Sequence, residues 1–375
     1  MSRHIFIIAS HAPTLINLRG RLLMSLISAG WRVTAAVPDV DASMRRCLEE
    51  MGVAVVETAL ARTSLHPLDD FRYFRSLLEL CQRLSPDVIL SYTIKPVIWG
   101  TLAARVARVP RVVTMITGLG YAFTQPEKGD WKHRATALLV SLLYRVALPR
   151  ADFVLFQNPD DRDLFMRRGF TPRPECVEVI AGSGVDLTHY SPSPPPPRPS
   201  FLMLARLLKA KGVREYATAA RSLRRRYPDV EFRLAGPLYS SPDAITRADL
   251  DHAIEGGVTY LGALEDVRSA LAEAAVYVLP SHYREGTPRS TLEALATGRA
   301  IVTTDAPGCR ETVVDGVNGF LVPPRDAVAL EQALERFVKE PDLIPAMGRA
   351  SSELAREKYD VDAVNGRIIA ALSPR

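Results

Sequence analysis

Two carboxylates, Glu285 and Glu293, lie eight positions apart in REGTPRSTLEAL, residues 284–295. An apolar run, AVYVLPS, precedes them, and Gly298 ends the stretch. Strand, turn and helix are the natural reading, with Thr287 as the N-cap and Pro288 at the first helical position. The free amides from Arg289 onward and the helix dipole then favour an anion, a diphosphate above all. Glu293 follows Arg289 and Ser290 by about one turn and leans back toward the helix start. Glu285 lies in the loop on the approach side. Two acceptors flanking a phosphate suit the hydroxyls of a ribose and a sugar. Ordinary solvated carboxylates near a helix start would have the same spacing.

A second feature points to the same chemistry. In FLMLARLLKAKGVREYA, Arg206 ends a strand and Lys211 precedes a helix. Two cations at one sheet edge can neutralise a diphosphate and its charge as a leaving group. A solvated basic turn is the alternative, because Lys209 lies between them.

The elements that must position these groups repeat one pattern. HIFIIAS, WRVTAAVP, VAVVETAL, DVILSYTI, RVVTMIT and DFVLFQN alternate with helix-length amphipathic segments. Near-continuous apolar strands separated by helices imply a parallel sheet covered on both faces. The pattern restarts with FLMLAR, VEFRLAG, VTYLG, AVYVLPS, AIVTTDA and GFLVPP. Between the halves lies SPSPPPPRPS, residues 191–200, whose prolines exclude a helix or central strand. It reads as a semi-rigid linker, with a proline-rich ligand for another module as the rival. The expected architecture is α/β, with two doubly wound Rossmann-like domains facing across a cleft. Residues 1–190 form the first domain and 201–359 the second. The C-terminal helix, about 360–375, packs back on the first.

Composition bounds the rest. A chain of 375 residues exceeds one ordinary domain. The four cysteines form no C-x-x-C, which fits a reducing cytosol and no zinc site. RHIFIIAS is short for a signal peptide and reads as a strand. The net charge of +5 lies in residues 1–190, with 23 Lys and Arg against 18 Asp and Glu, while residues 191–375 balance at 24 and 24. A basic first half suits an anionic partner: membrane surface, phosphorylated substrate or nucleic acid.

The motifs ARLLKAKG and LPSHYREGTPRSTLEALATGRAIVTTDAPGCRETVVDGVNGFLVPPRD resemble those of the family 4 retaining glycosyltransferases, of GT-B fold. The resemblance covers nearly the whole chain. It implies that Glu285 lies at the donor sugar and Glu293 at the nucleoside ribose, and that Arg206 and Lys211 bind the donor diphosphate. Arg206, Lys211 and Glu285 are thus the catalytic candidates, with Glu293, Gly286, Thr287, Arg289 and Ser290 as donor-binding residues. SYTIKPVIWGTLAARVARVPRVVTMITGLGYAF and NPDDRDLFMRRG are similar to a bacterial subgroup. That subgroup adds N-acetylgalactosamine, N-acetylglucosamine or galactose to sugars on undecaprenyl diphosphate.

One departure stands out. Many family members carry a histidine after the fifth strand of the first domain, and this chain has Thr117 and Gly118 there. These two, with Gly120, are expected to let the backbone approach the sugar. A plain glycine turn is the alternative. No metal is expected, because the D-x-D triplets at 39–41 and 360–362 lie away from the phosphate site. The G-x-G at Gly182–Gly184 lacks a third glycine and reads as a turn.

On the acceptor side, GRLLMSLISAG and WKHRATALLVSLLYRVALPR are apolar segments with basic flanks. The second reads as a core-facing helix for most of its length. Its ends, Lys132, His133, Arg134, Arg145 and Arg150, are placed to face lipid. His11, Asn17, Arg19 and Lys95 near strand ends are the candidates for a lipid-linked diphosphate. The implied partners are a UDP-sugar, a polyprenyl-diphosphate sugar and the cytoplasmic face of the inner membrane, with no cofactor and no nucleic acid. A UDP-N-acetylglucosamine 2-epimerase-like isomerase on the same fold and a non-catalytic sugar-nucleotide or lipid-binding protein are the rival readings.

Overall fold

The structure, a computed structural model, describes residues 2–62, 64, 66–120, 123, 131–239, 241 and 243–373, without the side chains of Lys132 and His133. Those two side chains, assigned above to a lipid-facing helix end, therefore lie outside the described residues. The chain divides into two units, Met1–Gly184 with Val361–Arg375, and Val185–Asp360.

The first unit runs β1 (His4–Ile8), α1 (Pro13–Asn17), α2 (Gly20–Ser28), β2 (Arg32–Val37), α3 (Ala42–Glu50), β3 (Val53–Glu57), α4 (Pro67–Leu84), β4 (Val88–Tyr92), α5 (Thr101–Val106), β5 (Arg111–Ile116), α6 (Trp131–Ala147), β6 (Phe153–Phe156), α7 (Pro159–Arg167) and β7 (Val177–Val179). Among the described residues its strands form one parallel sheet in the order β3-β2-β1-β4-β5-β6-β7. Alternation along each strand feeds two cores. Phe6, Ile8, Ile89, Val112 and Phe156 pack with Tyr73, Leu77, Ala103, Tyr144 and Phe165. Ile5, Ile7, Val33, Leu90 and Met115 pack with Leu22, Leu26, Leu48, Val364 and Ile368.

The second unit runs β8 (Ser200–Leu204), α8 (Val213–Arg226), β9 (Glu231–Ala235), α9 (Arg247–Glu255), β10 (Val258–Tyr260), α10 (Arg268–Ala272), β11 (Val276–Leu279), α11 (Arg289–Ala296), β12 (Ala300–Thr304), β13 (Gly319–Val322), α12 (Ala327–Lys339) and α13 (Leu343–Lys358). Its sheet is again parallel, in the order β10-β9-β8-β11-β12-β13. The strand order reverses between β8 and β11, and ligands of such sheets bind beyond the carboxyl ends at that point.

The last helix, α14 (Val361–Leu372), belongs to the first unit. Val364 and Ile368 enter its core, and Arg111 donates to the Ala371 carbonyl at 2.9 and 2.7 Å. Tyr359 and Asp360 interrupt the helical run, where Val185 N–H donates to the Tyr359 carbonyl at 2.7 Å.

The Pro-rich segment differs from its expected role. The second unit begins at Val185, so residues 191–200 lie inside it rather than at its edge. Proline removes an N–H but leaves the carbonyls as acceptors. Arg299, fully buried, donates to the carbonyls of Ser193 at 2.6 Å and Ala274 at 3.0 Å. Ser193 N–H donates to the Thr297 carbonyl at 3.2 Å. The segment is a strap on the second unit, and Ser200 already belongs to β8.

The aspartate triplets have structural partners. Asp41 caps α3 by accepting from Met44 N–H at 2.8 Å. Asp362 pairs with Arg21 at 2.8 Å. Among the described residues, no group of three or more His, Cys, Asp or Glu is arranged to hold a metal ion.

Candidate active site

The site is built on the carboxyl ends of β8 and β11. Beyond β8, Arg206 is exposed, with its guanidinium 5.8 Å from the Tyr239 ring centre. The chain then makes a tight turn, Lys209–Lys211, and enters α8. Gly212 must be glycine here, because its φ is +83° and a Cβ would lie 2.2 Å from the Pro280 carbonyl oxygen. The turn is thereby pressed against the end of β11. His282 and Tyr283 N–H groups both donate to the Ala210 carbonyl, at 2.9 and 3.0 Å.

This packing buries Lys211 to 8 % exposure. Its ammonium pairs with Glu285 and lies 5.4 Å from the Tyr283 ring centre. Ser281 donates to the same Glu285 oxygen at 3.0 Å. Gly308 presses on Glu285 from the other side. Its φ is +83°, and a Cβ would fall 2.4 Å from the Gly286 carbonyl oxygen. Burial pushes the neighbouring Cys309 thiol up to about 12 and the His282 imidazole down to about 4. Both are therefore neutral near pH 7.

The helix start differs by one residue from the expectation. Pro288 occupies the N-cap, with no side-chain capping bond, and α11 begins at Arg289. Extended backbone at Pro288, with ψ of 119°, shifts the first helical position past it. Thr287 is thus outside the cap. Ser290 is tied into the scaffold, accepting from Tyr277 at 2.6 Å and donating to the Leu204 carbonyl at 3.0 Å. It anchors the start of α11 to the end of β8.

Glu293 is 9 % exposed. Its Oε1 accepts from Arg289 Nε at 2.9 Å and from the Tyr190 hydroxyl at 3.0 Å. Burial holds its carboxyl above the ordinary value, and Arg289 and Tyr190 act against that. The fold therefore joins Lys211 with Glu285, and Arg289 with Glu293. Tyr190 and Ser281 were not found in the sequence. Tyr190 lies 103 positions from Glu293, and no local pattern links them.

The remaining candidates are in the first unit. Thr117 and Gly118 follow β5, and Gly118 has φ of +103°. Asn17 is exposed at the end of α1, and His11 Nδ1 lies 3.0 Å from Arg62. Two expectations change. Lys95 donates to the carbonyls of Ala61 at 2.9 Å and Ser64 at 2.6 Å, and to Asp70 at 2.7 Å. An ammonium has three donors, so none is left for a phosphate. Arg19 is buried at 2 % exposure, 5.2 Å from the Tyr92 ring centre and donating to Met115 Sδ at 3.0 Å. Neither cation presents itself to an acceptor diphosphate as folded.

Helix α6 also departs from expectation. Val140, Tyr144 and Ala147 are buried, but Trp131, Leu138 and Leu142 are 70, 63 and 53 % exposed. Leu139 and Val146 are exposed too. Positions three and four apart share a helix face, so the helix carries a second apolar stripe besides its core stripe. Arg134, Arg145 and Arg150 are exposed near it. No helix of the described residues is long and apolar enough to cross a membrane.

Comparison with known proteins accounts for most of the chain. Residues 20–182 match the glycosyl transferase 4-like domain, and residues 198–340 match the glycosyl transferases group 1. A Campylobacter jejuni N,N'-diacetylbacillosaminyl-diphospho-undecaprenol alpha-1,3-N-acetylgalactosaminyltransferase is 27 % identical, over 96 % of both chains. An Escherichia coli UDP-Gal:alpha-D-GlcNAc-diphosphoundecaprenol alpha-1,3-galactosyltransferase is 26 % identical, over 73 % of this chain and 72 % of that one. Among solved structures, a sucrose-phosphate synthase from Thermosynechococcus elongatus superposes with a TM-score of 0.79 at 18 % identity, covering 98 % of each chain. Anabaena HepE in complex with UDP-glucose superposes with a TM-score of 0.77 at 20 % identity, over 98 % of this chain and 99 % of that one. With two parallel α/β units and a paired E-x7-E motif in the second, the chain belongs to the family 4 glycosyltransferases of GT-B fold.

Proposed function

We propose that the protein transfers a hexose or N-acetylhexosamine from a UDP-sugar to a sugar on a polyprenyl diphosphate, with retention of configuration. The observation that carries this is the buried Lys211–Glu285 pair at the carboxyl ends of β8 and β11, beside the start of α11. Lys211, Arg206 and the helix start form a cationic seat for a diphosphate. Glu285 then receives the donor sugar's hydroxyls and Glu293 those of the ribose. The two curated relatives support the acceptor class, because their names specify diphospho-undecaprenol sugars and alpha linkages.

The chemistry is dictated by charge. As the bond from the anomeric carbon to the β-phosphate oxygen lengthens, negative charge gathers on the diphosphate and positive charge on the sugar ring. Lys211, Arg206 and the α11 dipole stabilise the first. No carboxylate nucleophile is assigned. The acceptor hydroxyl attacks on the face the diphosphate leaves, and its proton passes to the departing phosphate oxygen. Protein cations supply the countercharge in this scheme, so it invokes no metal.

The exposed apolar stripe of α6, with Arg134 and Arg145 near it, supports a membrane surface as the place of reaction. His11 and Asn17 remain the acceptor-side residues of the proposal, while Arg19 and Lys95 serve the fold. The test is a panel of UDP-sugars against polyprenyl-diphosphate sugars in vesicles, with product linkage and anomeric configuration read by NMR. Transfer from no UDP-sugar, or an inverted product, would refute the proposal. Epimerised sugar formed without acceptor would favour the isomerase reading.

A further inference from the structure

Tyr190 and Arg289 donate to one and the same oxygen of Glu293, Oε1, at 3.0 and 2.9 Å. No other donor among the described residues reaches this carboxylate, so Oε2 keeps its acceptor capacity. The two donors come from different places. Arg289 lies one turn earlier on α11. Tyr190 comes from the turn that opens the second unit, about a hundred residues away in sequence. That turn is held by its own bonds: Asp186 accepts from the N–H groups of Thr188 at 3.0 Å and His189 at 3.1 Å, and the Tyr190 N–H reaches the Asp186 carbonyl at 2.9 Å. The His189 ring packs edge-on against Tyr190 at 4.8 Å. The phenol is thus a fixed donor aimed at a flexible side chain.

We propose that Tyr190 is a positioning residue for nucleotide recognition: it and Arg289 fix Oε1 of Glu293 so that Oε2 is turned to accept the vicinal hydroxyls of a bound nucleoside diphosphate's ribose. This rests on the reading above that Glu293 faces the ribose. The physical reason is rotamer entropy. A free glutamate must surrender several torsions on binding a ligand, whereas one clamped at a single oxygen has already lost them on folding. Phenylalanine at 190 keeps the ring packing and removes only the donor.

The experiment measures Kd for UDP and for 2',3'-dideoxy-UDP by calorimetry, on the full chain and on Tyr190→Phe. The expected result is roughly tenfold weaker UDP binding in the variant, about one hydrogen bond to a charged group. Binding of dideoxy-UDP should be equal in both proteins, because the hydroxyls that Oε2 would accept are missing. A merely structural tyrosine would weaken both ligands alike, and that result overturns the inference. KM for the donor should rise while kcat holds. Should the variant prove unstable, Tyr190→Phe with Glu293→Gln carries the test, since it removes the buried charge together with its donor. Its UDP affinity should equal that of Glu293→Gln alone, and a further loss overturns the proposal. An unaltered protein that binds UDP and dideoxy-UDP equally refutes the ribose assignment of Glu293. One that discriminates them, alongside a variant that discriminates equally, refutes only the role of Tyr190.

Discussion

Lys95 in the first unit and Lys211 in the second are similarly buried, with side chains 16 and 10 % exposed, and both pair with a carboxylate. Lys95 spends its three N–H groups on two backbone carbonyls and Asp70. The Lys211 ammonium has Glu285 as its one hydrogen-bond partner among the described residues. A lysine saturated by immobile carbonyls is a strut. A lysine on a single carboxylate keeps donors for a ligand. The two lysines thus differ in where their other donors go, and the proposed role of Lys211 as a binding cation rests on that difference.

Substituting each lysine tests this contrast, and the largest effect is expected at Lys211. Lys211→Ala should lower kcat/KM by orders of magnitude, about 3–4 kcal/mol of transition-state stabilisation, while the folded signal persists. Turnover close to that of the parent would remove Lys211 from the diphosphate seat. Lys95→Met should act in the opposite sense. It should cost about 2 kcal/mol of stability, because Asp70 and two carbonyls lose a partly buried donor. Chemical denaturation measures the loss, and kcat/KM per folded molecule should hold. A catalytic defect without loss of stability would restore Lys95 to the acceptor site.

The contrast extends to surfaces. The first unit leaves an apolar stripe on α6, whereas the second presents Arg225 and Arg226 on α8. Leu138→Glu with Leu142→Glu should reduce partition onto anionic vesicles by roughly tenfold or more, since each leucine buried in lipid contributes about 1.5–3 kcal/mol. Flotation assays would show it, and unchanged flotation would assign the stripe to another role.

The smallest effect concerns a cap. Thr246 and Asp249 form a reciprocal capping box at the start of α9. Thr246→Ala should cost about 1 kcal/mol at neutral pH. The bond from Arg214 and the Thr246 contacts hold the Asp249 carboxyl down to about 2. A depressed folded pKa gives stability that is full above the unfolded value near ~4 and lost as pH falls through about 2. The difference between variant and parent should therefore shrink between those limits, and an unchanged difference at pH 2 would contradict the assignment.

Much of the fold was legible because strand alternation and helix periodicity are local. The two runs of apolar strands gave both sheets, and Gly298 marks the end of the α11 turn. The unit boundary was not legible. Proline density pointed to residues 191–200, but buried Arg299 draws that segment onto the second unit through carbonyls that composition does not reveal. Helix α6 read as a core helix because an apolar position does not declare whether a neighbour covers it.

For the site, sequence alone determined the inventory and its spacing: the glutamate pair on either side of a helix start, and Arg206 and Lys211 after one strand. Only the tertiary structure decided how each charge is used. It gave Lys211 one carboxylate and Lys95 three oxygens, and brought Tyr190 to Glu293 from 103 positions away. The reason is that periodicity comes from backbone geometry within a few residues. A hydrogen-bond partner is chosen by whichever distant group the packing places within about 3 Å.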